Sequence, residues 1–297
     1  MKTFALALVI ILGILFPYGH PYTFLVRYSV MIMLFFAFME MKVERSMFRI
    51  SHFWIIMAIM GISLSAFGLG SWLTNSTVSL AVLLIAMAPT AAAAPVITSF
   101  LKADVAYVTF SVLLTSLVLS ILIPLVLPTL GNLDGGISVI QVLVPVLITV
   151  GLPMLLAQSI RKVSPATASF LVKYKAITYW MFVGNVYIAI SKASYFVRYE
   201  TEADLAIIAY IGVGSLLVCL TSFGLGYFLE KDPSSRKAAS MSLGRKNTMF
   251  SIWLSLTFIS PLVALGPMFY IVWQNTINGI QLSLVKENPQ SNETTPA

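Results

Sequence analysis

Apolar runs recur along almost the whole chain, separated by short polar stretches that hold most of the charged residues. A helix that crosses the ~30 Å hydrocarbon core of a bilayer needs about 20 apolar residues at about 1.5 Å of rise each. By that measure the pattern predicts ten crossing helices, at residues 3–17, 22–40, 52–70, 76–101, 105–127, 137–160, 167–191, 204–229, 233–258 and 261–285. The first of them, TFALALVIILGILF behind Lys2, has the look of a signal-peptide core. Pro17, Tyr18, Gly19 and His20 make a poor small-residue cleavage site, so it is read as the first span. Arg27 falls inside the second span and is expected to snorkel to the interface.

Two predicted spans are interrupted. The fourth contains APTAAAAP, residues 88–95, with two prolines and one hydroxyl; the ninth contains SLGRKNT, residues 242–248. The interruptions occupy corresponding places when the chain is divided into 1–130 and 131–286, with five spans in each half. Five is odd, so the second half is expected to run upside down relative to the first. The expected fold is therefore an all-α polytopic membrane protein built as two inverted five-helix repeats, with helices four and nine broken and crossing at the membrane centre. One break alone reads as a proline or glycine kink. A matched pair in an inverted repeat points to a secondary transporter with its site near the midplane. The tail, residues 287–297, has nothing to bury and is expected to be disordered.

Composition sharpens the class. With 59% hydrophobic residues, 10% charged residues and a mean hydropathy of +0.93, the chain lies outside the range of soluble globular domains. Its one cysteine, Cys219, excludes an internal disulfide and a cysteine metal cluster. The net charge of +7 contains no basic run longer than a pair, which argues against nucleic acid. It is explained by topology: thirteen of the eighteen lysines and arginines fall on one side of the predicted spans, against Arg27, Lys192 and Arg198 on the other. By the positive-inside rule the richer side is cytoplasmic and holds both termini. Short loops suit a bacterial inner membrane.

The candidate chemistry is concentrated at the breaks. At each one, a half-helix starts inside the membrane and turns the positive end of its dipole inward, which suits a carboxylate or another anion. Thr90 is the one hydroxyl in the first break; Ala92, Ala93, Ala94 and Pro95 offer backbone contacts, or equally a small surface that lets another element approach closely. In the second break, Arg245 and Lys246 stand where a cation costs on the order of 3 kcal/mol, so they face a cavity or a partner. The alternative places the start of that span near Thr248 and leaves both cations in a solvated loop. Asn247 and Thr248 follow as side-chain donors. In the last span, Gln274, Asn275, Asn278 and Gln281 are four amides in an apolar background, with 274, 278 and 281 on one helical face. They line a cavity or bond between helices. No catalytic set or cofactor motif is present; His20 and His52 fall in loops at opposite sides, and the chain is not read as an enzyme. The glycosylation patterns at Asn75 and Asn292 carry no weight.

These stretches resemble the bile acid/sodium symporter family. The matching residues are AMAPTAAAAPVITSFLKADVAYVTF in the fourth and fifth spans, SLGRKNTMFSIWLSL in the ninth and GPMFYIVWQNTINGI in the tenth. The resemblance implies two inverted five-helix repeats, a panel and a core domain, and transport of organic anions by alternating access. It implies that Asn247, Thr248, Gln274 and Asn275 are polar groups on the substrate, with backbone contacts around residues 92–95. The chain departs from the family's sodium sites: Ala94 and Pro95 stand where sodium users carry Ser and Asn, Ser242 replaces a Glu, and Lys246 replaces a Gln. These changes remove oxygen ligands that a sodium ion needs. The expected function is thus a carrier of a small carboxylate or bile-acid-like anion, with Arg245 or Lys246 standing in for the coupling cation. The competing readings are a symporter with sodium at a non-standard site, an uncoupled channel-like or exchange pathway, and a membrane sensor.

Overall fold

The helices begin and end where local chemistry directs. The computed structural model describes residues 2–41, 47–131, 138–200 and 204–287, and these are helical apart from turns and one isolated β-bridge. In chain order the helices are α1 (Lys2–Leu15), α2 (Phe24–Glu40), α3 (Ser51–Leu73), α4 (Ser76–Ala86), α5 (Ala94–Phe100), α6 (Val105–Gly131), α7 (Val139–Val163), α8 (Pro165–Val172), α9 (Ile177–Tyr195), α10 (Leu205–Phe228), α11 (Pro233–Gly244), α12 (Thr248–Phe258) and α13 (Leu265–Glu287). Side-chain caps set several of the starts. Asn75 accepts from the Val78 N–H and opens α4, Asp204 opens α10, and Ser138 with Gln141 forms a capping box on α7. Asp232 caps α11 by accepting from the Ser235 N–H, which holds its carboxyl below the ordinary range.

Each predicted span corresponds to one helix or to a pair of helices. The fourth is α4 plus α5 and the ninth is α11 plus α12, broken as the sequence pattern required. The seventh differs from its expectation. Rather than one helix over 167–191, it is α8, a turn at residues 173–176, and α9 running on to Tyr195. His52 also differs, lying within the first turn of α3, buried, with Nε2 against the Tyr107 carbonyl at 3.1 Å. The tail beyond 287 and the cations Lys42 and Arg45 lie outside the described residues.

The surface shows what solvent the protein expects. Among the described residues, four helices, α3, α6, α7 and α10, are long and apolar enough to cross a bilayer by length and composition. Large apolar side chains stand outward on them, including Trp72, Leu155, Val163, Leu205 and Leu217. Hydroxyls and amides are instead turned inward: Ser63, Thr98, Ser111, Thr115, Thr149, Asn185, Ser215 and Ser222 are all buried. An apolar exterior around a polar-flecked interior is the arrangement of a protein embedded in a membrane.

The helices associate in two groups. In one, α1 lies on α9 and α2 lies on α7, with α8 against both α2 and α7. In the other, α3 lies on α4 and α10 on α11, with α6 and α13 beside the broken helices. Arg49 ties together one end of this second group: its Nη1 donates to Ser235 Oγ at 2.8 Å, its Nη2 pairs with Asp104 at 2.6 Å, and the guanidinium lies 5.6 Å from the Tyr107 ring centroid. The groups meet mainly where α12 touches α2 and α9, and where α7 follows α6 in the chain.

Candidate functional site

The two interruptions meet. Residues 89–91 and 245–247 run antiparallel as a short bridge centred on Thr90 and Lys246. The Ala91 N–H donates to Arg245 O and the Asn247 N–H donates to Pro89 O, both at 2.8 Å. Each break thereby satisfies backbone groups that its own broken helix leaves over, as burial of Thr90 and Lys246 requires.

The side chains repeat that exchange. Thr90 Oγ1 donates to Ser242 O at 2.6 Å, in the last turn of α11, and Lys246 Nζ donates to Ala86 O at 2.8 Å, the last residue of α4. Ala86 stands four residues before Thr90, and Ser242 stands four before Lys246. The backbone nitrogens of the bridge pair are reciprocal too. Thr90 N–H donates to Thr115 Oγ1 on α6 at 3.0 Å, while Lys246 N–H donates to Gln274 Oε1 on α13 at 3.1 Å. The two breaks thus exchange bonds reciprocally, with two differences of chemistry: a neutral hydroxyl on Thr90 faces an ammonium on Lys246, and the supporting acceptor is a hydroxyl on Thr115 but an amide oxygen on Gln274.

Adjacent residues of the second break point to different surroundings. Lys246 is among the largest fully buried side chains, 1% exposed, with its ammonium at the carbonyl end of α4. That is the favourable end of a helix dipole for a cation. Arg245 is partly exposed; its Nη1 lies 3.5 Å from Oδ1 of the exposed Asn275, and its buried Nε has no protein partner. No carboxylate pairs with either cation among the described residues, where the ion pairs join Arg49 to Asp104, Lys175 to Glu40 and Lys192 to Glu200, all near helix ends.

The structure therefore sorts the residues singled out in the sequence. Thr90, Ala94, Ser242, Lys246, Thr248 and Gln274 are buried, and of these Thr90, Lys246 and Gln274 hold the crossing together. Ala92, Ala93, Pro95, Arg245, Asn247 and Asn275 retain exposed surface. Asn247 is the N-cap of α12: its Oδ1 accepts from the Phe250 N–H at 3.3 Å. In the first break, the Ala94 N–H turns back to Ala91 O at 2.9 Å, and Pro95 has no N–H to offer. On α13 the amides divide. Gln274 bonds between helices, whereas both polar atoms of buried Asn278 and Oε1 of Gln281 have no protein partner. At the positions compared with sodium sites, Ser242 Oγ is buried without a partner. No cluster of three or more His, Cys, Asp or Glu side chains suited to a metal occurs among the described residues.

Three contributors were not singled out from the sequence. Thr115 supports Thr90; the signal was the hydroxyl recurrence at 111, 115, 116 and 120, which places a polar stripe along an apolar helix. Tyr270 donates from its hydroxyl to Gly244 O at 2.7 Å, closing the end of α11. Ser251 Oγ reaches Leu84 O at 3.4 Å. No protein-family model and no curated protein matches the chain.

Proposed function

We propose that the protein is a secondary transporter that carries a small organic anion by alternating access, with its binding site at the crossing of the two broken helices. One observation carries the reading: Arg245, partly exposed and with a buried Nε that has no protein partner, lies beside Asn275 at a helix break, with no acidic partner among the described residues. An unpaired cation at that depth is costly unless an anion completes it. The inverted five-helix repeat of ten spans is supported by the reciprocal hydrogen bonds of the crossing. It is also supported by the way α1 with α9 mirrors α7 with α2, and α3 with α4 mirrors α10 with α11. Motion of one helix group against the other would expose the crossing to each side in turn. Both termini belong on the cation-rich side, in a bacterial inner membrane.

Sodium coupling is not part of this reading. The carbonyl end of a broken helix is a natural seat for a monovalent cation, and the Lys246 ammonium already occupies it at Ala86 O. Uptake of a labelled small carboxylate or bile-acid-like anion into proteoliposomes is expected to saturate, to show counterflow, and to be the same with and without a sodium gradient. A strict sodium requirement in the unaltered protein overturns the coupling assignment, and unsaturable flux favours a channel.

One observation favours a symporter with sodium at a non-standard site. Ser242, and Ser111 and Ser116 on α6, have buried hydroxyl oxygens without protein partners. Hydroxyls alone make a poor cation cage without a carboxylate. The sodium-gradient arm of the same assay separates the two readings.

A further inference from the structure

Corresponding half-helices on the two sides of the crossing have unlike surroundings. On α12 every residue from Thr248 to Ser255 is buried, and the helix rests against α2 and α9 of the other group. On α5, only Ala94 and Thr98 are buried, Val96 and Phe100 stand exposed, and its main neighbours are α6 and α11 of its own group. The crossing is thus covered by packed protein on the side of α12 and more thinly covered on the side of α5.

That cover centres on Arg27. This cation is half-buried in the first turn of α2. Its Nε donates to Thr149 Oγ1 on α7 at 3.1 Å, and its guanidinium carbon lies 5.8 Å from the centroid of the Trp253 ring on α12. Trp253 is itself 2% exposed and is braced by Phe250 and Phe258 at centroid distances of 5.8 and 6.0 Å. A single side chain therefore joins α2, α7 and α12, two of one helix group and one of the other. Its partners are an uncharged hydroxyl and an aromatic face. Such contacts close a passage and yet release without separating an ion pair in a low dielectric, since a cation–π contact is a modest interaction.

We propose that Arg27, Thr149 and Trp253 form the latch of the passage on the side of residues 16–23, and that opening this side requires Arg27 to leave the Trp253 face. The inference rests on the transporter reading for its purpose.

The test needs no substrate. Met249 is buried, 3% exposed, on the same face of α12 as Trp253 and one turn nearer the crossing. A Met249→Cys reporter in a Cys219→Ala background is reconstituted, and a membrane-impermeant thiol reagent is added on the side of residues 16–23. Labelling is expected to be slow with the latch intact and about tenfold faster in Arg27→Gln or Trp253→Leu. Arg27→Lys keeps the charge but loses the flat guanidinium, and should fall between. Gel filtration and thermal unfolding exclude variants that have lost the fold. The proposal is overturned if folded Arg27→Gln and Trp253→Leu proteins label within twofold of the intact latch. Faster labelling in a protein that transports no anion keeps the latch and removes only the transporter reading.

Discussion

Arg245 and Lys246 are neighbours in the chain and answer to different environments because the backbone between the half-helices is extended. Arg245 has φ −89° and ψ 103°, a conformation in which successive side chains point to opposite faces. One cation therefore keeps partial exposure beside Asn275 and the next is driven into the protein. The sequence marked both as costly but could not divide their roles, since the division depends on the dihedrals of the residue immediately after Gly244. A direct charge-assisted hydrogen bond contributes about 1.5–3 kcal/mol, so Arg245→Gln should weaken anion binding roughly a hundredfold. Lys246 acts on an anion only through intervening protein, and Lys246→Gln should cost about tenfold, since charge felt at a distance is attenuated. The amide of Lys246→Gln still offers a donor to Ala86 O, so the midpoint of thermal unfolding should stay within a few degrees. Isothermal titration of both variants against one carboxylate checks the order. Equal losses would place Lys246 in the open site beside Arg245.

At the scale of elements, the breaks in the fourth and ninth spans were legible because proline, glycine and paired charges interrupt otherwise apolar runs. The turn at 173–176 was not, because KYKA contains neither glycine nor proline and is set by contacts rather than by local chemistry. Close approach between helices was equally hidden. At Gly226 on α10, an added Cβ would stand 2.7 Å from Ala239 O and 2.8 Å from Ser240 Cα, both backbone atoms of α11 that have no rotamer to yield. Ser240 Oγ donates to Phe223 O at 2.7 Å across the same contact. Gly226→Ala should therefore separate α10 from α11 at a cost of about 1–3 kcal/mol, seen as a thermal midpoint lower by roughly 5 °C. Gly224, with nothing within 4 Å of its would-be Cβ, is the control; Gly224→Ala should leave the midpoint unchanged or raise it.

Over the whole molecule, the sequence supplied the all-helical, membrane-embedded class through its hydropathy, yet it could not supply the association of helices. The two packing groups each draw helices from both halves of the chain, so they cannot be read from the order of elements. What hydropathy and structure leave to distinguish is how many segments cross. Four helices meet the demands of length and composition outright, while α1 and α2 are shorter, at 14 and 17 residues. The proposed inverted repeat requires both to cross, because otherwise the first half lacks its five spans and the reciprocal bonds of the crossing would join halves of unlike topology. Tyr18, after α1, is 74% exposed, and Ile50, before α3, is 71% exposed, so cysteines at both positions are open to reagent. If α2 crosses, Tyr18→Cys and Ile50→Cys label from opposite faces of oriented vesicles. If α2 lies along the surface, the two label from the same face, and the ten-span repeat fails together with the transport mechanism built on it. Labelling from opposite faces is expected, since Arg27 on α2 is held inward by Thr149 and Trp253, where a helix lying along the surface would turn its cation to water.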